Sequence, residues 1–236
     1  RRRRVMMLLF NGDDAVRKTR AVIGNIGPER RGGETIRDTY GDIIFDERDQ
    51  VRYFEPAVLA APNAEEAEQK LKLWTRYSDT DGGLLENVIA CSPGEKLERT
   101  LVLIKPDNFR FPTGRPGNVI DFFSRTGLYI VGIKVHRMSV AEAMEFYGPV
   151  REVLRTKLTD IVGAKAKAAI EKELGFTLPA AEERQIGQLL SPHFGDSQFD
   201  SIVKFMAGRT PGECDPKLKK EPGTEKCIAL VYEGVE

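Results

Sequence analysis

Few side chains in this chain could do covalent or acid–base chemistry near neutral pH. There are two histidines, His136 at the end of an apolar stretch and His193 beside Pro192. Cys91, Cys214 and Cys227 are an odd number with no close pair. Their spacing contains neither a disulfide framework nor a zinc ligand set. Lys105 closes the apolar run Arg99-Thr-Leu-Val-Leu-Ile-Lys105 and is followed at once by Pro106 and Asp107.

Lys plus Arg equals Asp plus Glu at 36 each, so the formal net charge is zero. That balance argues against nucleic acid or an anionic membrane as the main partner, since both select for excess positive charge. A chain of 236 residues is long enough for one large domain or two small ones with a buried core. No apolar run approaches the roughly 20 residues of a bilayer span. Arg1 to Arg4 followed by Val5 to Phe10 has the charge order of a signal peptide. The apolar part is too short, however, and runs straight into Asp13, Asp14 and Arg17, so a buried strand is expected there. These features together point to a cytoplasmic protein.

The elements that must position those residues can be read from period and punctuation. Val5 to Phe10 is an apolar run of strand length ended by Asn11-Gly12. Asp13-Asp14 before Ala15 to Ile23, and Gly24 after it, predict a short helix. Asn25 to Gly41 reads as loop and Val51 to Ala61 as strand. Ala64 to Trp74 is an alanine- and glutamate-rich helix, and Ser78 to Gly94 reads as linker. Arg99 to Lys105 predicts a buried strand stopped by Pro106. A helix at Val119–Phe123, a strand at Leu128–Val135 and a helix at Val140–Tyr147 come next. Val150 to Leu190 predicts two or more helices broken around Gly175 and Pro179, Phe199 to Met206 a helix, and Cys227 to Tyr232 a last strand. This order lacks the alternation of a parallel βαβ fold and suits α+β with an antiparallel sheet.

The two ends share a pattern. Val5-Met-Met-Leu-Leu-Phe-Asn-Gly12 and Cys227-Ile-Ala-Leu-Val-Tyr-Glu-Gly234 are each six apolar residues, one polar residue and glycine. Strand followed by polar-glycine turn is common, so pattern alone leaves two accounts open: a recurring local motif, or entry and exit at the same strand of a duplicated unit.

Arg99 to Asp107 resembles the opening strand of the nucleoside diphosphate kinase family, an apolar strand that ends in Lys-Pro-Asp. Gly127 to Lys134 looks like that family's second strand, Phe199 to Met206 like the helix before its third strand, and Cys227 to Gly234 like the third strand. The first part of the chain resembles the portion of the family that lies after its third strand. Asp14 to Gly24 is similar to the next helix, and Gly27-Pro28 through Glu34 to Gly41 to the phosphate-side loop with its Gly-Thr-Ile-Arg motif. Ala64 to Trp74 is similar to the helix after the catalytic strand. The resemblance implies an α+β, ferredoxin-like βαββαβ fold with a four-stranded antiparallel sheet covered by helices, plus a helical insertion at about 150–192. It also implies an arrangement: residues 1–90 as the C-terminal half of a degenerate copy, 91–98 as linker, and 99–236 as the N-terminal half of a second copy.

The family moves the γ-phosphoryl group of one nucleotide to another nucleoside diphosphate through a phosphohistidine, with magnesium. Carried over residue by residue, the resemblance gives Lys105 the neutralisation of charge on the transferring phosphoryl and places Tyr147 near the nucleophile. It makes Arg20 and Arg37 phosphate contacts and Ile202 a nucleotide contact. The partners it implies are ATP and nucleoside diphosphates, within a homo-oligomer. The departures are specific: Leu59 stands where the histidine should be, Pro56 where a nearby asparagine should be, Ile26 at a phosphate-side threonine, and Gln198, beside Phe199, at the base-stacking position. Leucine can neither accept a phosphoryl group nor transfer a proton. Three readings are therefore open: a slice of a tandem enzyme whose first copy is degenerate, a circular permutant, or a module that keeps the fold without turnover.

Overall fold

The computed structural model describes residues 5–26, 33–78 and 82–235. The chain divides into two units, Arg1–Val88 and Ile89–Glu236. Both are mixed helix and antiparallel strand.

In the first unit, α1 (Ala15–Ile23) matches the sequence expectation and ends on Gly24, whose N–H bonds the Arg20 carbonyl. Gly24 sits at φ 87°, and a Cβ there would collide with the Thr35 side chain, so both conformation and space require glycine. The expected loop at Asn25–Gly41 instead contains a short helix, α2 (Ile36–Tyr40). Thr35 starts it, its hydroxyl accepting the Asp38 N–H at 3.2 Å. Gly27 and Pro28, named for the phosphate-side loop, lie outside the described residues. A hairpin comes next, β1 (Asp42–Phe45) against β2 (Val51–Glu55). Its turn is held by the Asp46 carboxylate, which accepts the Arg48 and Gln50 N–H groups at 2.8 and 2.9 Å. The strand expected over Val51–Ala61 therefore stops at Glu55, where buried Pro56 can give no further ladder donor. α3 (Ala64–Trp74) has the expected limits, is capped by Asn63, whose side chain accepts the Glu66 N–H at 2.9 Å, and buries no residue.

The strand expected at Val5–Phe10 does not form. Those six residues are irregular and between 44% and 80% exposed. A strand needs a neighbour for its backbone groups, and no described strand of this unit pairs with these residues. Ile23 is the only aliphatic side chain buried among them.

The second unit carries a three-stranded antiparallel sheet of β3 (Leu97–Ile104), β4 (Tyr129–His136) and β5 (Cys227–Val235), in the order β3-β5-β4. β3 begins two residues before its expected start, so the linker ends at Lys96. The described residues thus hold three strands of the expected four-stranded sheet, with β3 at one edge. α4 (Arg115–Ser124) crosses between β3 and β4 and covers one face, where Val119, Ile120 and Phe123 pack on Ile104, Leu230 and Tyr232. The other face is covered by α5 (Val140–Phe146) and by the end of α8 (Ala180–Ala207), around Ala143, Phe199, Val203, Met206 and Cys227.

Between α5 and α8 stand α6 (Gly148–Lys157) and α7 (Thr159–Leu174), the latter ended by Gly175 in the left-handed conformation. The helical insertion expected to close at Pro192 does not end there. α8 runs through Pro192, giving up the N–H that would bond the Gln188 carbonyl, and continues to Ala207. One row of α8, spaced by four residues, accounts for most of its buried side chains: Gly187, Ser191, Gly195, Phe199, Val203 and Ala207. The row is small where α6 and α7 cross it and large where it meets the sheet. A Cβ on Gly195 would lie 2.7 Å from the Arg155 Cα, and one on Gly187 would run into the Thr159 carbonyl. Ser191 donates to the Arg155 carbonyl at 2.8 Å, and Arg151 donates to Asp196 at 2.8 Å.

Gly187→Val should therefore force α7 off α8 and lower stability by about 1–3 kcal/mol. Gly212→Ala, where nothing lies within 4 Å of the added Cβ, should change it by less than about 0.5 kcal/mol. Thermal unfolding followed by circular dichroism compares the two, and equal melting temperatures would contradict the packing described.

Candidate functional site

The sheet register gathers several of the chemically capable side chains at one end. Ile104 pairs with Ile228, which carries Lys105 to the level of Cys227, and Cys227 pairs on its other side with His136. Pro106 opens a single 3₁₀ turn, Pro106–Phe109, that stops β3 and leaves Lys105 exposed. The Lys105 carbonyl accepts the Asn108 N–H at 3.1 Å and the Asn108 side-chain amide at 3.0 Å. Its ammonium makes no hydrogen bond or ion pair with a described residue. A second cation, from the residue before β5, lies over that turn, with the Lys226 Nζ 5.9 Å from the centre of the Phe109 ring.

Tyr147 follows α5 and is half-buried against the core that contains Cys227. Its ring meets Phe146 edge-on, with centroids 5.0 Å apart. Burial first, and the Cys227 sulfur second, push the phenol above its ordinary pKa, so it stays a protonated donor. Burial also raises the Cys227 thiol, which removes it as a nucleophile. Ile202 is half-buried on α8 beside fully buried Val203. Phe199 is 2% exposed, so it belongs to the core and cannot stack on a base.

Each histidine stands near a carboxylate. His136 Nε2 stands 3.4 Å from the Glu142 carboxylate. Glu142 in turn accepts the Ser139 N–H at 2.7 Å, closing a capping box at the start of α5. That backbone bond, with His136 contributing less, holds the Glu142 carboxyl below its usual range. His193 is exposed on α8, near the Asp196 carboxylate.

The remaining sequence-picked residues lie in the first unit. Arg20 is half-buried in the last turn of α1. Arg37 is 1% exposed, and its guanidinium donates to the Gly24 carbonyl at 2.7 Å and to the Val58 carbonyl at 3.3 and 3.1 Å. Burial, then the field of Arg20, lower its pKa. Leu59, one residue beyond Val58, is 82% exposed, and Ile26 is 64% exposed.

Two ties escaped the sequence reading. Arg99 and Glu233, directly opposed on β3 and β5, form an ion pair at 2.6 Å in which Glu233 is 1% exposed. They are 134 positions apart, so only the strand register brings them together. The Arg37 bonds to main-chain carbonyls left no signal at all, since a carbonyl has no residue type.

Residues 98–155 match the family model described as nucleoside diphosphate kinase. Over that stretch the chain is similar to the nucleoside diphosphate kinase family. A nucleoside diphosphate kinase of Staphylothermus marinus is 50% identical over 50 residues, which are 21% of this chain and 34% of that protein. The chain thus spans about a third of that curated relative. A crystal structure of an NDP kinase from Pyrobaculum aerophilum is 26% identical, over 59% of this chain and 61% of that one, with a TM-score of 0.36. The kinase-family segment includes Lys105 and Tyr147; Arg20, Arg37, Leu59 and Ile202 lie outside it.

The Glu142 cap should make α5 sensitive to acid. A depressed carboxyl stabilises the folded state above its unfolded pKa and loses that contribution as pH falls through the folded value. Wild type should therefore melt higher than Glu142→Gln at pH 7 and converge with it as pH falls through and below the carboxylate range. A difference that grew on acidification would contradict the assignment.

Proposed function

We propose that this chain is part of a tandem nucleoside diphosphate kinase in which residues 1–90 are the back half of a degenerate copy and residues 99–236 the front half of a second copy. In this reading the γ-phosphoryl of a nucleoside triphosphate passes to a nucleoside diphosphate through a phosphohistidine that this stretch does not supply. The observation that carries it is the contrast between the two matching ends. Cys227–Val235 is the middle strand of a sheet, whereas Val5–Phe10, with the same pattern, is exposed and unpaired. A segment built to be a middle strand calls for two flanking strands, and the repeat favours a tandem slice over a circular permutant, which needs that strand once.

In the second copy, Lys105 would neutralise charge on the transferring phosphoryl and Tyr147 would donate a hydrogen bond beside the nucleophile. Ile202 would contact the nucleotide. Arg20 is the phosphate contact we assign to the first copy. Magnesium would enter with the nucleotide. No helix among the described residues is long and apolar enough to cross a membrane. We place the protein in the cytoplasm as a homo-oligomer.

A second reading, an assembly or nucleotide-binding module without turnover, is favoured by Leu59, which presents an inert side chain to solvent at the nucleophile position.

Incubated with γ-labelled ATP, the chain should acquire no acid-labile, base-stable label; such a label would contradict both readings. In a protein extended beyond Glu236, Lys105→Ala should lower phosphoryl transfer by about 10²–10³-fold. Unchanged turnover would remove Lys105 from the site. No turnover in the extended wild type would favour the inactive module.

A further inference from the structure

We propose that Arg37 acts as a clamp on the segment that carries residue 59, fixing the Gly24 and Val58 carbonyls, and not as a phosphate contact. The proposal is independent of whether the second unit turns over. Arg37 sits in the middle of α2, and its planar fork spans two points of the chain that are far apart in sequence. One amino group donates to Gly24, where α1 ends, at 2.7 Å. The Nε and the other amino group both donate to Val58, at 3.3 and 3.1 Å. A lysine has one ammonium and cannot bridge two separate carbonyls in this fixed geometry.

Access decides between the two roles. A phosphate contact must present its N–H groups to an anion arriving from solvent. At 1% exposure Arg37 offers almost no surface to solvent, and three of its N–H groups already donate to the Gly24 and Val58 carbonyls, so turning those groups to an anion means releasing a carbonyl. Either carbonyl would then be left without the only side-chain donor described for it.

Backbone strain at the far end points the same way. Ala57 has φ 58°, a left-handed conformation that a residue with a Cβ seldom holds unless its surroundings impose it. It lies between buried Pro56 and clamped Val58, and the Val58 N–H turns back to the Pro56 carbonyl at 2.5 Å. Two bonds onto the Val58 carbonyl supply the constraint. They hold the chain so that the next side chain, Leu59, projects 82% exposed. The first unit thus keeps a device that aims residue 59, though residue 59 itself is inert.

Hydrogen exchange read by mass spectrometry on the whole chain tests this. Arg37→Lys keeps the charge and loses the fork. It should speed amide exchange at residues 24–26 and 57–61 by about tenfold or more, with α3 and the second unit unchanged. Pyrophosphate added to wild type should leave exchange in both stretches as it was. If Arg37→Lys unfolds the whole first unit, adding Ala57→Gly, which removes the left-handed strain, should restore protection to α3. Unchanged exchange at 57–61 in Arg37→Lys would overturn the clamp. So would protection of those stretches by pyrophosphate, or a failure of Ala57→Gly to rescue a globally unfolded variant.

Discussion

A strand in the middle of a sheet must pair its backbone groups on both sides, and that requirement separates the two halves of this chain. Cys227–Val235 meets it, with β3 along one edge and β4 along the other. Everything else in the second unit is arranged around that strand. Its even positions, Ile228, Leu230 and Tyr232, face the α4 side, while Cys227 meets α5 and α8 on the other. Its pairing with β3 sets the level at which Lys105 emerges, and its pairing with β4 sets that of His136. Val5–Phe10 has the same alternation and no neighbours, so the same side chains stay in water. Burying an apolar run and pairing its backbone are coupled requirements in a sheet; where the second fails the first fails with it.

The long helix α8 shows how one element can serve two packings. Its four-residue row is glycine, serine and glycine where helices α6 and α7 come close enough to touch backbone, then phenylalanine, valine and alanine over the sheet. Close backbone approach at one end and bulky filling at the other need opposite residue sizes, and the row supplies each where it is needed. The helical insertion is therefore packed onto the same helix that seals the sheet's second face. Arg151 adds to this by donating to Asp196 while its guanidinium lies over the Phe199 ring, 5.4 Å from the centre.

Arginine has contrasting uses across the chain. Arg99 neutralises a buried carboxylate across two strands, Arg151 bridges two helices, and Arg37 holds main-chain carbonyls with no carboxylate among the partners described. In each case the planar fork meets acceptors that the tertiary fold brings together from separate segments. Lys105, by contrast, directly follows a strand and is exposed, with no hydrogen bond or ion pair to a described residue.

Local codes were legible in the sequence. α1 and α3 have the limits read from their caps, α5 begins where Ser139 and Glu142 can close a capping box, and Gly175 ends α7, because such signals act within a few residues. The strand that runs up to Lys105, and with it the likeness of residues 98–155 to the kinase family, was readable for the same reason. What Leu59 cannot do was equally plain, since chemistry depends on residue type and an aliphatic side chain neither accepts a phosphoryl group nor transfers a proton. What only the tertiary structure decided concerns partners. Whether an apolar run becomes a strand depends on a neighbour, which is why Val5–Phe10 stayed irregular and Cys227–Val235 did not. Whether a proline ends a helix depends on what packs around it, so α8 passed through Pro192. And the bonds from Arg37 to the Gly24 and Val58 carbonyls could come only from the fold, because a main-chain carbonyl stands at every position and its reach depends on how separate segments meet.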